Sequence, residues 1–434
     1  MQFRIICLLS GLLFAVSVHA QEWKENYAQG AASYQSGELQ EAFFFIYAAL
    51  NQYRASGGEA NANMAAILRQ LSNICYADGR FNEGLNFVEK ELAIREVKKD
   101  TTYATALLNQ AQFFRQLGSH AHAIEVLQRV EKIFGEFYPA DDARLTDVAI
   151  NLAINYYLHN DLPGASAIYD RILSGLDNEK IDLDDRLEAY YYYSLLQMDA
   201  GKSASAITSF MSTRDLYQKA GLQESANYAL VLLGLGQAYQ QSNQHAAAEE
   251  MYRKAQEIYE KAQGKDNDYF QIVAARVSNF QKEGKFTEAD QLLTILKETP
   301  EAKTTYALSL TNTAALYQAQ GEYPKSEALY LEALTYFQGD DKAALLQQMT
   351  ILQNLGVMYS DKGDQEQALS KLQDARTRAE RLFGLYDQAY LSVLNKLGVA
   401  LTRAGRTDEA TQVYAQINEI SKKLLSPPTR QLFM

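Results

Sequence analysis

The sequence predicts an all-α fold, a right-handed superhelical solenoid of about ten antiparallel helical hairpins. Three observations carry that reading. Ala, Leu, Gln, Glu and Tyr dominate a 434-residue chain with only 6 prolines, a composition that favours helix over strand. Gly37, Gly79, Gly118, Asn160, Gly201, Asn243, Gly284, Gly321, Gly363 and Gly405 recur at steps of 37 to 42 residues. Glycine and asparagine enter the left-handed backbone of a helix-ending turn most cheaply, so each marks the corner of a hairpin. Around these pivots the same small and large positions repeat, as expected when one structural unit is stacked many times.

Taken in order, the first segment stands apart. Arg4 supplies a positive charge, Ile5 to Val18 form an almost unbroken apolar run, and Val18-His19-Ala20 places small residues before Gln21. That is the pattern of a secretory signal peptide over residues 1–20, and export to the bacterial periplasm, or alternatively to the exterior, is expected from it. The run is too short to span a bilayer, and no later stretch is long and apolar enough for membrane insertion. Cys7 lies inside the run rather than just after it, which argues against a lipid anchor.

Without residues 1–20 the chain keeps 40 basic and 53 acidic residues, a net charge of −13. That balance excludes nucleic acid, which needs clustered Lys and Arg, and disfavours an anionic membrane surface. Only Cys75 then remains. A single thiol forms no internal disulfide, and its apolar repeat position reads as an inert buried residue.

Residues 21–425 form the array. Trp23, the only tryptophan, is expected to pack at its N-terminal end, and Asn26 to Leu50 form a first, atypical hairpin. Five residues after the pivots stand Ala42, Gly84, Ala123, Ala165, Ala206, Ala248, Ala289, Ser326, Ala368 and Ala410, all small. Nine after them stand Ile46, Val88, Leu127, Tyr169, Phe210, Tyr252, Leu293, Tyr330, Leu372 and Tyr414, all large. Seven before them nine of ten residues are small, Val277 being the exception. Small residues let helices approach, and the large ones fill the space between hairpins. The one 37-residue step falls near Thr299-Pro300, where Thr suits a helix N-cap and Pro the first helical position. Residues 426–434 are a tail with two prolines, whose Leu432, Phe433 and Met434 are expected to fold back over the last hairpin.

Residues 307–334 (ALSLTNTAALYQAQGEYPKSEALYLEAL) resemble a tetratricopeptide repeat, with Leu310, Ala314, Tyr317, Gly321, Tyr323, Tyr330, Ala333 and Leu334 at the signature positions. Residues 353–375 and 395–417 are similar to it, whereas Ser33, Gln197 and Arg276 depart from the apolar pattern in other hairpins. The step near 42 residues resembles the longer-helix class seen in kinesin light chains and bacterial arrays. The resemblance implies a superhelix whose first helices line a concave groove. It also implies a non-enzymatic scaffold for a protein or peptide partner. The alternative is a sensing array that works with a separate effector protein.

No catalytic residues, cofactor or metal site are expected. His120, His122, His159 and His245 lie near the pivots and read as solvated turn residues, because no carboxylate or cysteine pattern completes a ligand set. The acidic stretch at residues 177–185 lacks the glycine and terminal glutamate spacing of a calcium loop and reads as helix-capping acids. No Gly-rich phosphate loop or nucleophile elbow is present.

Nine residues before the pivots stand Asn109, Asn151, Asn312 and Asn354, with Asn395 one position earlier in the last hairpin. The resemblance implies that such carboxamides bond the backbone of an extended peptide, since one side chain both donates and accepts. Arg69, Arg115, Tyr157 and Lys396, with Asn73, Tyr76, Gln112, Gln353 and Arg403, would add selectivity on the same face. The other reading is that the asparagines bond between helices. Tyr191, Tyr192, Leu195, Leu230 and Leu233 make a more apolar middle suited to a hydrophobic anchor.

Overall fold

The computed structural model describes residues 23–176 and 179–425; the expected signal peptide and the tail from residue 426 lie outside them. The described chain is helical, with no strand, and divides into two compact units at Thr213/Arg214. The first unit holds α1 (23–35), α2 (Leu39–Ala55), α3 (Ala62–Ala77), α4 (Phe81–Arg95), α5 (Thr101–Gln116), α6 (His120–Phe137), α7 (Ala143–Leu158), α8 (Leu162–Ile172), α9 (Leu183–Asp199) and the start of α10 (Ser203–Lys219). The second holds α11 (Ala226–Gln241), α12 (His245–Ala262), α13 (Asn267–Glu283), α14 (Phe286–Glu298), α15 (Lys303–Ala319), α16 (Tyr323–Tyr336), α17 (Lys342–Lys362), α18 (Gln365–Phe383), α19 (Gln388–Arg403) and α20 (Thr407–Leu425). Successive pairs form hairpins, and every pivot sits at its corner with φ between +56° and +90°.

The registers explain the packing. All ten residues five after a pivot are buried, and of those nine after it only Tyr414, in the last hairpin, is exposed. The large residue lies on the small position of its own hairpin, not only between hairpins as expected. A Cβ on Gly236 would come within 2.5 Å of the Tyr252 ring, so only glycine admits that tyrosine. Between hairpins, a Cβ on Gly84 would meet Phe113 at 2.3 Å. Trp23 stands edge-on to Tyr53 at 5.1 Å, the terminal packing expected of it.

Asn61, Asp100, Asp142, Asp182, Ser225, Asp266, Asp341 and Asp387 cap the first helices α3, α5, α7, α9, α11, α13, α17 and α19, each side chain accepting a backbone N–H from the first turn. Such caps occupy the orphan donors and favour acid at the positive helix end. Helix α15 differs, and the expectation of a Thr299 cap is corrected here. A 3-10 turn, Pro300–Ala302, leads into it, and the Thr299 hydroxyl donates to the Ile295 carbonyl (2.8 Å) instead.

Second helices lie against the first helices of their own and the following hairpin, while α7 reaches α9 and α11, α13, α15, α17 and α19 follow one another directly. First helices therefore form the inner layer of each unit.

Candidate functional site

The inner layer is stitched by a repeated polar link. A residue three before one pivot bonds a residue two before the next, because both point along the seam between consecutive first helices. Gln116 donates to Tyr76 (2.9 Å), Tyr157 to Asp199 (2.6 Å), Gln318 to Asp361 (3.0 Å) and Arg403 to Ser360 (3.0 Å); Arg403 also donates to Asp361 (3.1 Å), which like itself stands two before a pivot. Where Leu158 occupies the acceptor position, Arg115 reaches past α7 to Glu188 on α9 (3.1 Å). Arg115 and Tyr157 are thus engaged within the first unit.

The other expected site residues divide in the same way. Asn109 donates to Asn73 (3.2 Å) and Ser72 (3.4 Å), which is the interhelical bonding of the alternative reading. Asn151 donates to the Asp147 carbonyl of its own helix (2.9 Å). Arg69 pairs with Glu91 (3.0 Å), a fully buried carboxylate that Arg95 also holds (2.6 Å). Lys396 donates to Gln353. The side chains of Asn312, Asn354 and Asn395 make no hydrogen bond among the described residues; Asn312 and Asn395 are exposed and Asn354 is half-buried. All three lie on first helices of the second unit. In the middle of the chain Tyr191, Tyr192 and Leu195 in the first unit and Leu230 and Leu233 in the second are each half-buried.

Two inner cavities coincide with the expected residues. One of about 310 Å³ lies between α3 and α5, against Arg69, Asn73, Asn109 and Gln112. The other, of about 220 Å³, lies between α17 and α19 and has a floor of Val357, Leu372, Val399 and Ala400 beneath Asn395, Lys396 and Arg403. Sequence reasoning missed the valines. Their signal was the register, since Val357 and Val399 both stand six before a pivot and Val399 is 46% exposed.

His122 and His159 are exposed, as expected, but the other two histidines correct a second expectation. His120 and His245 are half-buried, not solvated, and each Nδ1 meets an asparagine of the next first helix, Asn155 (3.3 Å) and Asn279 (3.0 Å). Each histidine stands two after a pivot and each asparagine five before the next, so this is a second interhairpin link. Among the described residues no group of His, Cys, Asp and Glu is placed to hold a metal ion. Burial pushes the Cys75 thiol up to about 11, as suits an inert residue. Asp182, in the acidic stretch, caps α9 as expected. Burial, and then the charges of Asp185, Asp182 and Asp142, push the Asp147 carboxyl up to about 6.

The tetratricopeptide-repeat family model matches residues 185–261, 305–381 and 347–423. No protein of curated function matches the chain. Similar solved structures include the apo form of RapI, at 10% identity with a TM-score of 0.48 over 64% of this chain and 99% of that one. The apo quorum sensor NprR from B. thuringiensis is 13% identical, with a TM-score of 0.43 over 73% of this chain and 98% of that one. A tetratricopeptide repeat protein from Parabacteroides merdae is 16% identical, with a TM-score of 0.45 over 68% and 93%. The family match shows tetratricopeptide repeats over residues 185–261 and 305–423, and the pivots, registers and hairpins described above repeat at the same step near 42 residues.

Proposed function

We propose that the chain is a non-enzymatic scaffold that binds a peptide or protein partner on the inner face of its second unit. The observation that supports this reading most is the contrast among the asparagines. Asn109 and Asn151 are spent on internal bonds, while Asn312, Asn354 and Asn395 offer free carboxamides on three successive first helices. A carboxamide matches a peptide unit of any sequence, and a row of them suits an extended backbone.

The test is a pull-down from bacterial envelope extract with the native chain and with the triple variant Asn312→Ala, Asn354→Ala, Asn395→Ala. The expected result is a partner captured by the native chain and lost by a variant that melts at the native temperature. Retention by the folded variant would remove the assignment. Export belongs to the same proposal, resting on residues 1–20. Expression of the full chain in a bacterium, with intact mass measured in the periplasmic fraction, should give a chain beginning at Gln21. A cytoplasmic product that keeps Met1 would overturn it.

A further inference from the structure

We propose that the groove between α2 and α4, on the outer layer, is a docking site for an acidic segment of a partner protein. One aromatic side chain of that segment is seated between Tyr47 and Phe87, and a neighbouring carboxylate lies beside Arg54 and Lys90. The site belongs to the first two hairpins, away from the inner face, and does not rest on the asparagines.

Consecutive second helices pack on first helices and not on each other as the first helices do, so long side chains bridge the grooves between them. Two of these grooves are closed by an ion pair in one register. The residue thirteen after a pivot meets the residue eleven after the next: Glu131 and Arg171 at 2.7 Å, and Lys297 and Glu332 at 3.0 Å. Between α2 and α4 the same two positions hold Leu50 and Lys90. A buried leucine thus stands where an acid could close the groove, and a cavity of about 230 Å³ opens beside it, with Arg54 and Asn86 at its edge.

Neither cation finds an acid within the chain. None of the residues three or four positions away along either helix is acidic. Glu83, which also lines the cavity, is paired with Arg80 (3.2 Å). Among the described residues no carboxylate lies within ion-pair distance of Arg54 or Lys90. Two like charges at one cavity make a locally positive site on a chain of net charge −12, and an acid brought by a partner completes the link that Glu131 and Glu332 make elsewhere.

The rings name the other half of the ligand. Phe43 stacks on Tyr47 (5.7 Å) and lies 6.3 Å from Phe87, so the three form a corner. Arg80 covers Phe43 at 4.0 Å while its charge is taken by Asp78 (2.8 Å) and Glu83, which holds the corner in place before a ligand arrives. A further ring fits such a corner edge-on. Tyr47 is 42% exposed, and Phe44, one turn earlier on α2, is 67% exposed. Apolar surface that continues past the cavity suits a protein segment better than a small molecule.

The full-length chain would be titrated by ligand-observed NMR with acetyl-Glu-Phe-Glu-amide, acetyl-Gln-Phe-Gln-amide and acetyl-Glu-Ala-Glu-amide. The first should bind most tightly. Exchanging Glu for Gln should weaken binding about fivefold, and exchanging Phe for Ala about tenfold. In the double variant Arg54→Gln, Lys90→Gln, both at exposed positions, the preference for Glu should vanish and that for Phe remain. Tyr47→Glu, which removes a ring and puts an acid in the groove, should abolish both. The variant Asn312→Ala, Asn354→Ala, Asn395→Ala should bind the first peptide as the native chain does, whatever the pull-down gives. Equal affinity for the Glu and Gln peptides, an unchanged preference in the double variant, lost binding in the asparagine variant, or no binding to the native chain at millimolar concentration would each overturn the proposal. So would a dimer of the native chain in sedimentation that the double variant fails to form, because a second copy would then be the occupant.

Discussion

Tyr252 fills the space over Gly236, yet its hydroxyl is buried without a hydrogen-bond partner. Burial pushes the hydroxyl's pKa well above its ordinary value, which costs nothing at neutral pH, but the lost hydration of the O–H does cost. Tyr252→Phe keeps the ring and removes the orphan, so it should stabilise the chain by about 1 kcal/mol in urea titration. A destabilised variant would show that an ordered water serves the hydroxyl. Asp147 gives the second residue-scale prediction. Its carboxyl is raised to about 6 by burial and by Asp185, Asp182 and Asp142, and its Oδ1 is buried without a partner. An acid raised on folding loses stability as pH climbs from the unfolded value near 3.9 through the folded one. Asp147→Asn should therefore add on the order of 1–3 kcal/mol at pH 7, with the gain shrinking toward nil by about pH 4. Melting curves at the two pH values check the sign, and a gain that grows on acidification would reverse it. These local facts were not legible in the sequence. A pattern tells that position 252 is large and buried, not whether a hydroxyl there finds an acceptor.

At the scale of the helix, the caps and the seams divide the work. Asp341 accepts from the Ala343 and Ala344 amides at the start of α17, whereas the Lys285 side chain makes no cap bond at α14. Asp341→Ala should cost about 1 kcal/mol, and Lys285→Ala clearly less, in the same denaturation assay. Equal effects would mean that helix-end charge alone accounts for the acid there. The hairpins themselves were legible because their signals are local: a pivot with positive φ, a small residue five later, a large one nine later. The seam was only half legible. Arg115, Tyr157 and Asn109 were recognisable as inner-face residues from their offsets, but their partners Glu188, Asp199 and Asn73 stand 73, 42 and 36 residues away. Whether an inner polar residue faces a partner or its own neighbour depends on what the adjacent repeat places opposite. Leu158 opposite Arg115 shows how one apolar substitution redirects the bond. The even, near-42-residue step made that comparison possible in principle, and Lys396 opposite Gln353 is where it leaves a charge unmatched.

At the scale of the molecule, each unit contains five pivots, and the free asparagines and the α17/α19 cavity all belong to the second. In a stacked array, stability is a sum of hairpin terms and nearest-neighbour interfaces, so a run of complete hairpins should fold without the rest. The natural cut lies between α10 and α11, near Gly221. It removes Tyr217, whose ring packs on Tyr228 at 5.9 Å, and Gln218, which donates to the Tyr228 hydroxyl (2.9 Å). That loss exposes one end of α11 but leaves the interfaces from α11 to α20 intact. A fragment of residues 221–434 should therefore give a helical circular dichroism spectrum and a cooperative melt, at a temperature below that of the full chain. It should also capture the same inner-face partner, because no residue proposed to bind it lies before α15. A fragment that folds but captures nothing would move the binding surface into the first unit, where Arg115 and Glu188 bridge α5 and α9. A fragment that fails to fold would mean that the cover Tyr217 gives Tyr228 is required for α11 to nucleate the stack.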